Sequence, residues 1–278
     1  MWQRRNPGIH RVFITVMTYP APSSANNEIV CTAGIGADGN WVRIYPVDYR
    51  YLDAERRYAK WQWITADLGE ASGTDQRRES HKVNVDTIAL NEHLDHKTDP
   101  KYLQRRQIID PQPVHTYLQL RSIWTEDQQA NRPRTSLGVV RPTEILDLTA
   151  ERRDEPDWTE GERTKLTQLR IFGPQITQLH KLPVIFRVKF RCTDSEEPHE
   201  IMIEDWEVGA LYWNCRWGGD SEDVAIAKVR DKYMGTVLDM AKRDVRLFMG
   251  TTMARNTWLV IGVFSPPRRS DENQQRIF

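Results

Sequence analysis

Apolar positions along the chain fall first into short runs spaced for strands. Residues 12–17 form a largely apolar run that stops at Pro20-Ala21-Pro22. Residues 29–35 and 41–47 flank Gly36-Ala37-Asp38-Gly39-Asn40, where Asp-Gly predicts a two-residue hairpin turn, because both positions take positive φ cheaply. Residues 61–68 predict a further strand, and 99–128 read as helix broken by Pro111 and Pro113. An extended stretch follows at 137–148. Asp157 with Glu160 resembles a capping box and Gly173-Pro174 is a stop signal, so 158–172 reads as a helix.

Further on, Phe186, Val188, Phe190 and Cys192 alternate with Arg187, Lys189 and Arg191, and an apolar alternation returns at Ile201 and Ile203. A short helix is expected over 206–213. Ile226, Val229, Tyr233, Val237 and Met240 recur at helical steps, with Glu222 and Asp223 before them and Lys242 and Arg243 after, as the helix dipole favours. Residues 245–249 and 258–264 close the pattern as strands. Strand pairs followed by helices predict an α+β fold of antiparallel, barrel-like sheets with flanking helices, OB-like or PUA-like small barrels. The charged run 151–156 suggests a division into 1–150, a β-rich domain, and 151–278, an α+β domain, which could also pack as one continuous domain.

Composition narrows the function classes. With 39 Lys+Arg against 39 Asp+Glu the chain carries no net charge, which excludes a histone-like polycation but leaves room for a basic cleft. Its three cysteines, Cys31, Cys192 and Cys215, lie too far apart for a CxxC pair and read as reduced thiols of a cytoplasmic protein. Apolar runs are far too short to span a bilayer, and the first residues lack the apolar segment of a signal peptide, so no membrane association is expected. Ten tryptophans exceed what an average core needs and suit stacking surfaces or interfaces.

If Asp38-Gly39 is the turn, Trp41 faces Gly36, Arg43 faces Gly34 and Tyr45 faces Thr32. Two aromatics and a guanidinium then share a strand face with small partners and stay uncovered, a surface on which a nucleobase could stack. The alternative is that a later element covers these rings. Cys31-Thr32-Ala33-Gly34 followed by Trp41-Val42-Arg43-Ile44-Tyr45-Pro46 resembles the opening strands of dual-OB-type proteins thought to bind nucleic acid. Those proteins tend to show Gly-Trp-Ile-Arg-Pro; here Asn40 replaces the glycine and Ile44-Tyr45 separates Arg43 from Pro46, so only Trp41 and Arg43 transfer. The resemblance implies a small barrel that binds nucleic acid.

Two other clusters bear on the chemistry. Arg77 and Arg78, in the run Asp75 to Lys82, could grip phosphates, with Arg50 as companion, unless Asp75 and Glu79 absorb the charge. In the hairpin 186–203, a register pairing Val188 with Ile203 would set Arg187 against Glu204 and Arg191 against Glu200, removing that basic stripe as a site. The same register carries Asp205 onto the apolar face, where it either caps the next helix or acts chemically.

The chemical version makes Asp205 or Glu207 an acid, base or charge stabiliser in a pocket walled by Trp206, Tyr212, Trp213 and Trp217, as a DNA or nucleotide glycosylase requires. His93 and His96 lack a third ligand at a recognisable spacing, so no metal is expected, nor any cofactor. No phosphate loop or nucleophile motif is present. The sequence therefore favours recognition of a nucleic acid or nucleotide by stacking and arginine contacts, with or without hydrolysis of an N-glycosidic bond. A non-catalytic nucleic-acid reader or a protein-interaction subunit, with an arginine-free apolar patch, are the alternatives. Oligomeric state is left open.

Overall fold

The structure is a computed structural model of the 278-residue chain. It describes residues 6–22, 28–71, 73–167, 179–252 and 256–269. The N-terminal half contains β1 (Gly8–Met17), β2 (Ala21–Pro22), β3 (Glu28–Gly36), β4 (Trp41–Val47), β5 (Gln62–Glu70) and β6 (Ser80–His93). Then come α1 (Leu103–Ile109), β7 (Val114–His115) and α2 (Tyr117–Gln129), the two helices separated by the proline pair. The C-terminal half contains β8 (Leu137–Val140), β9 (Glu144–Arg152), α3 (Glu160–Thr167), β10 (Val184–Cys192), β11 (Ser195–Met202), α4 (Trp206–Trp217), α5 (Glu222–Lys232), β12 (Arg246–Thr251) and β13 (Trp258–Phe264).

The fold is α+β, as the pattern predicted. In the first sheet β1 pairs with both β3 and β5, β5 with β6, β6 with β4 in parallel, and β4 with β3. The circuit closes, so five strands form a small barrel with the OB-like order in which the third strand runs parallel to the fifth. Val12, Ile14, Val42, Ile44, Ile64, Ala66 and Leu68 fill it.

The second half repeats this order. β9 pairs with β10 and β10 with β11; Ile203, just past β11, bridges Val260 of β13 in parallel; β13 pairs with β12 and β12 with β8. β8 and β9 are consecutive pieces of strand separated at Arg141-Pro142-Thr143, since proline gives the ladder no donor. Val188, Phe190, Leu247, Met249 and Val260 form its core, with Val208, Tyr212 and Val229 packed in from α4 and α5.

Two expectations are corrected, and one strand is added. The division at 150/151 would cut through β9, which pairs along its length with β10, so the sheets separate upstream, between β6 and β8. The segment from Ser80 to His93, to which the sequence pattern assigned no element, is a strand; polarity disguised it because its outer face is exposed along the β5–β6 ribbon. The last helical pattern ends early: α5 stops at Lys232, and a π-helical turn, Tyr233–Val237, follows. The predicted helix 158–172 begins at Glu160, and residues 168–172 lie outside the described residues. Among the described residues no helix is long and apolar enough to cross a membrane.

Candidate functional site

The first hairpin differs from its expected register by one residue. Ile35 pairs with Trp41, Gly34 with Val42 and Ala33 with Arg43, because the turn holds three residues, 37–39, with Gly39 at φ +80°. The slip puts Ile35 and Ala33, rather than glycines, beside Trp41 and Arg43, and makes the outer face apolar. That face is largely covered. Phe248 of β12 meets the Trp41 ring edge-on at 5.6 Å, and Ile35, Leu137, Ile261 and Phe264 complete the interface between the halves.

Arg43 is among the largest fully buried side chains. Its guanidinium donates to the Ser136 carbonyl at 2.9 Å and to Cys31 Sγ at 2.8 Å, while Glu79 accepts from the Ser136 hydroxyl at 2.7 Å. Burial lowers Arg43 and raises Glu79 from their ordinary values, each opposed by the other's charge. The predicted stacking platform of Trp41, Arg43 and Tyr45 is thus an internal seam; Tyr45, half-buried, lies under the Arg77 guanidinium at 5.0 Å.

The basic cluster is internal too. Arg77 forks onto Asp75 at 2.9 and 2.7 Å with both residues buried, and Arg78 pairs with Asp127. Arg50 pairs at 2.9 Å with buried Glu28. Phosphate contact by Arg77 and Arg78 is corrected accordingly: their charge is matched inside the fold.

In the second hairpin Val188 pairs with Ile201 and Lys189 with Glu200, two residues from the expected register, so the same faces point inward. Arg187 and Arg191 find their acids on β9 instead, at Glu151 and Glu144. Asp205 is buried and does two structural jobs. One oxygen accepts the Glu207 amide at the start of α4, and the other takes Lys60 Nζ at 2.9 Å. Lys60 also reaches Glu207 at 2.8 Å.

Burial would lower the Lys60 ammonium, but the two carboxylates outweigh it and hold it protonated above its ordinary value. Burial pushes Asp205 up to about 6, with Lys60 opposing and Glu207 adding. Each Asp205 oxygen is thus engaged and the carboxylate is buried. Glu207 is 57% exposed at its side chain.

Two clefts flank α4. One, of about 470 Å³, is lined by Glu207, Trp61, Tyr102, Tyr233, Lys232 and Arg243 among others. Trp61 and Tyr102 both sit at positive φ, 68° and 58°, and Tyr233 opens the π-helical turn. Cations already cover these rings: Arg105 lies 3.7 Å from the Tyr102 centroid and Lys60 5.3 Å from Trp61.

The other cleft, of about 350 Å³, is lined by Trp206, Trp213, Trp217, Tyr19, His180 and Arg50. Trp213 and Trp217 are stacked at 5.9 Å and 26°, and Trp217 is 65% exposed. Tyr19 enters from the β1–β3 connection and lies directly on Gly209 of α4, where any Cβ would stand 2.3 Å from its ring. Its hydroxyl donates to the His180 carbonyl at 2.9 Å, and burial pushes its pKa up to about 12.

The structure thus brings Trp206, Trp213, Trp217 and Arg50 together and adds Tyr19 and His180. Tyr212 is fully buried and walls neither cleft. Tyr19 and His180 were missed as site residues because no local pattern marks them; each arrives from a connection, as ligand-binding residues of small barrels do.

Residues 115–278 match the family described as Domain of unknown function (DUF8757). The chain belongs to that family. Residues 9–111 match a second, Domain of unknown function (DUF8758), and the two matches meet where the sheets separate. No curated protein matches the chain.

Proposed function

We propose that this DUF8757 chain recognises a nucleic acid or nucleotide by stacking a base in the tryptophan cleft beside α4. The observation that carries the reading is the paired Trp213 and Trp217 rings, open at Trp217, with Arg50 in the same lining. Centroids 5.9 Å apart leave no room for a base between the rings, so the base adds to the outer face of Trp217. Such a stack contributes about 1–3 kcal/mol per base. The OB-like strand order, with a connection of the first barrel forming one wall, supports the same reading. Three unbridged cysteines suit a reducing compartment such as the cytoplasm.

The test is fluorescence titration with single-stranded oligonucleotides and mononucleotides. Trp217→Ala should weaken binding by roughly 5- to 150-fold, the equivalent of one lost stack. Unchanged affinity would remove the reading.

Hydrolysis of an N-glycosidic bond is a second reading, favoured by Glu207 standing in a cleft with Trp61 and Tyr102, two residues at positive φ. A carboxylate held by Lys60 at 2.8 Å could stabilise an oxocarbenium-like transition state or orient water. Here the assay is release of bases from DNA, modified bases included, by the wild type and by Glu207→Gln. Absence of abasic sites with the wild type ends it.

A further inference from the structure

At the tip of the β10–β11 hairpin three metal-ligating side chains converge. Cys192 is the last residue of β10, Asp194 lies in the turn, and His199 pairs with Phe190 on the inward face. Their ligand atoms all lie within 4.8 Å of one another. The spacing Cys-x-Asp-x4-His crosses a hairpin, so only the pairing of the strands reveals it.

The surroundings favour an ion. His199 Nε2 is buried and has no hydrogen-bond partner among the described residues, which calls for an occupant. Its ring is held by Tyr117 at 4.7 Å and Phe190 at 5.6 Å. Asp194 accepts from the hydroxyl of Thr116, the residue that caps α2, and the Tyr117 amide donates to the Cys192 sulfur. These are the outer contacts that orient metal ligands. Arg121, one turn into α2, is the nearby cation that works against an ion.

We propose that Cys192, Asp194 and His199 bind a zinc ion, with water in the fourth position. A mixed sulfur, nitrogen and oxygen set suits Zn²⁺ and excludes the hard cations Mg²⁺ and Ca²⁺. Binding releases the Cys192 thiol proton to solvent. Tetrahedral coordination needs ligand atoms roughly 3.5 Å apart, so the side chains draw in by about 1 Å, which the exposed turn carrying Asp194 allows. The ion would tie the hairpin to the start of α2.

The full chain, chelator-treated and reduced, is titrated with Co²⁺ and then Zn²⁺. One equivalent of Co²⁺ should give a thiolate-to-metal charge-transfer band and intense tetrahedral d–d bands, both displaced by Zn²⁺. Cys192→Ser should abolish the charge-transfer band. Asp194→Asn, in an exposed turn and so compatible with folding, should weaken binding by about tenfold or more. The proposal is overturned by absent or octahedral spectra, by a charge-transfer band that survives in Cys192→Ser, or by unchanged affinity in Asp194→Asn.

Discussion

Lys60 and Asp205 meet at 2.9 Å with both side chains shut off from water, one from the connection leading to β5 and the other from the residue before α4. The pair joins the two halves of the molecule beside both clefts. Removing one partner of such a pair strands the other charge and costs about 3–5 kcal/mol. Lys60→Met should therefore destabilise strongly. Asp205→Asn should cost less, because asparagine still caps α4 and Glu207 still holds Lys60. Urea unfolding of both variants and of the double variant checks this, and the double variant should fall well short of the sum.

The pH dependence carries a sign that separates Asp205 from the buried aspartates Asp75, Asp127 and Asp244. Its folded value of about 6 lies above the ordinary 3.8, so between these limits the folded chain holds a proton that the unfolded chain has lost. Its contribution to stability therefore falls as pH rises from about 4 to about 6, then levels off. Asp75, Asp127 and Asp244 are held below the ordinary value; burial opposes the shift, but their arginine and hydroxyl partners outweigh it. Their contribution is present above about pH 4 and lost below it. The stability of the wild type minus that of Asp205→Asn, measured by urea unfolding, should decline between pH 4.5 and 6.5; a flat difference contradicts the assignment.

Gly209 sets the wall of the tryptophan cleft by having no side chain. A methyl group there would stand 2.3 Å from Tyr19 Cδ2, and the ring, tied through its hydroxyl to His180, would have to move. Gly209→Ala should thus displace Tyr19 and weaken ligand binding, even though alanine raises intrinsic helix propensity by about 1 kcal/mol. Binding titration alongside thermal unfolding separates the two effects.

Much of the fold was legible because alternation and helical spacing survive wherever one face of an element is buried. β4 and β13 were read to the residue, and α4 was read from its capping aspartate. What the pattern could not supply was register. One extra turn residue, Ala37, exchanged Gly36 and Gly34 for Ile35 and Ala33 beside Trp41 and Arg43, and so exchanged an open face for a covered one. Arg43 misled for a related reason. A guanidinium between aromatics reads as exposed until Ser136, more than ninety residues on, arrives to accept its hydrogen bonds. The cleft itself escaped in part because Tyr19 and His180 reach α4 from connections on two different barrels, and spacing along one element records nothing of that.

The buried node at Arg43 leads to a prediction opposite in kind to that for an open platform. Arg43, Ser136 and Glu79 form one network across the interface, with Gly250 of β12 close enough that a Cβ would lie 3.3 Å from the guanidinium. Arg43→Met removes the nearest cation and leaves Glu79 buried, hydrogen-bonded to Ser136 and with the weaker influence of Arg78. The expected cost is about 3–5 kcal/mol of folding stability, since the remaining carboxylate has lost its nearest opposing charge. Replacing Glu79 by Gln in the same chain should recover part of that loss, because a neutral amide keeps a hydrogen bond to Ser136 without a charge to solvate. Nucleic-acid affinity per folded molecule should stay the same in both variants. If Arg43→Met instead abolished binding while urea unfolding was unchanged, the guanidinium would have to act on a ligand, and the covered face would have to open.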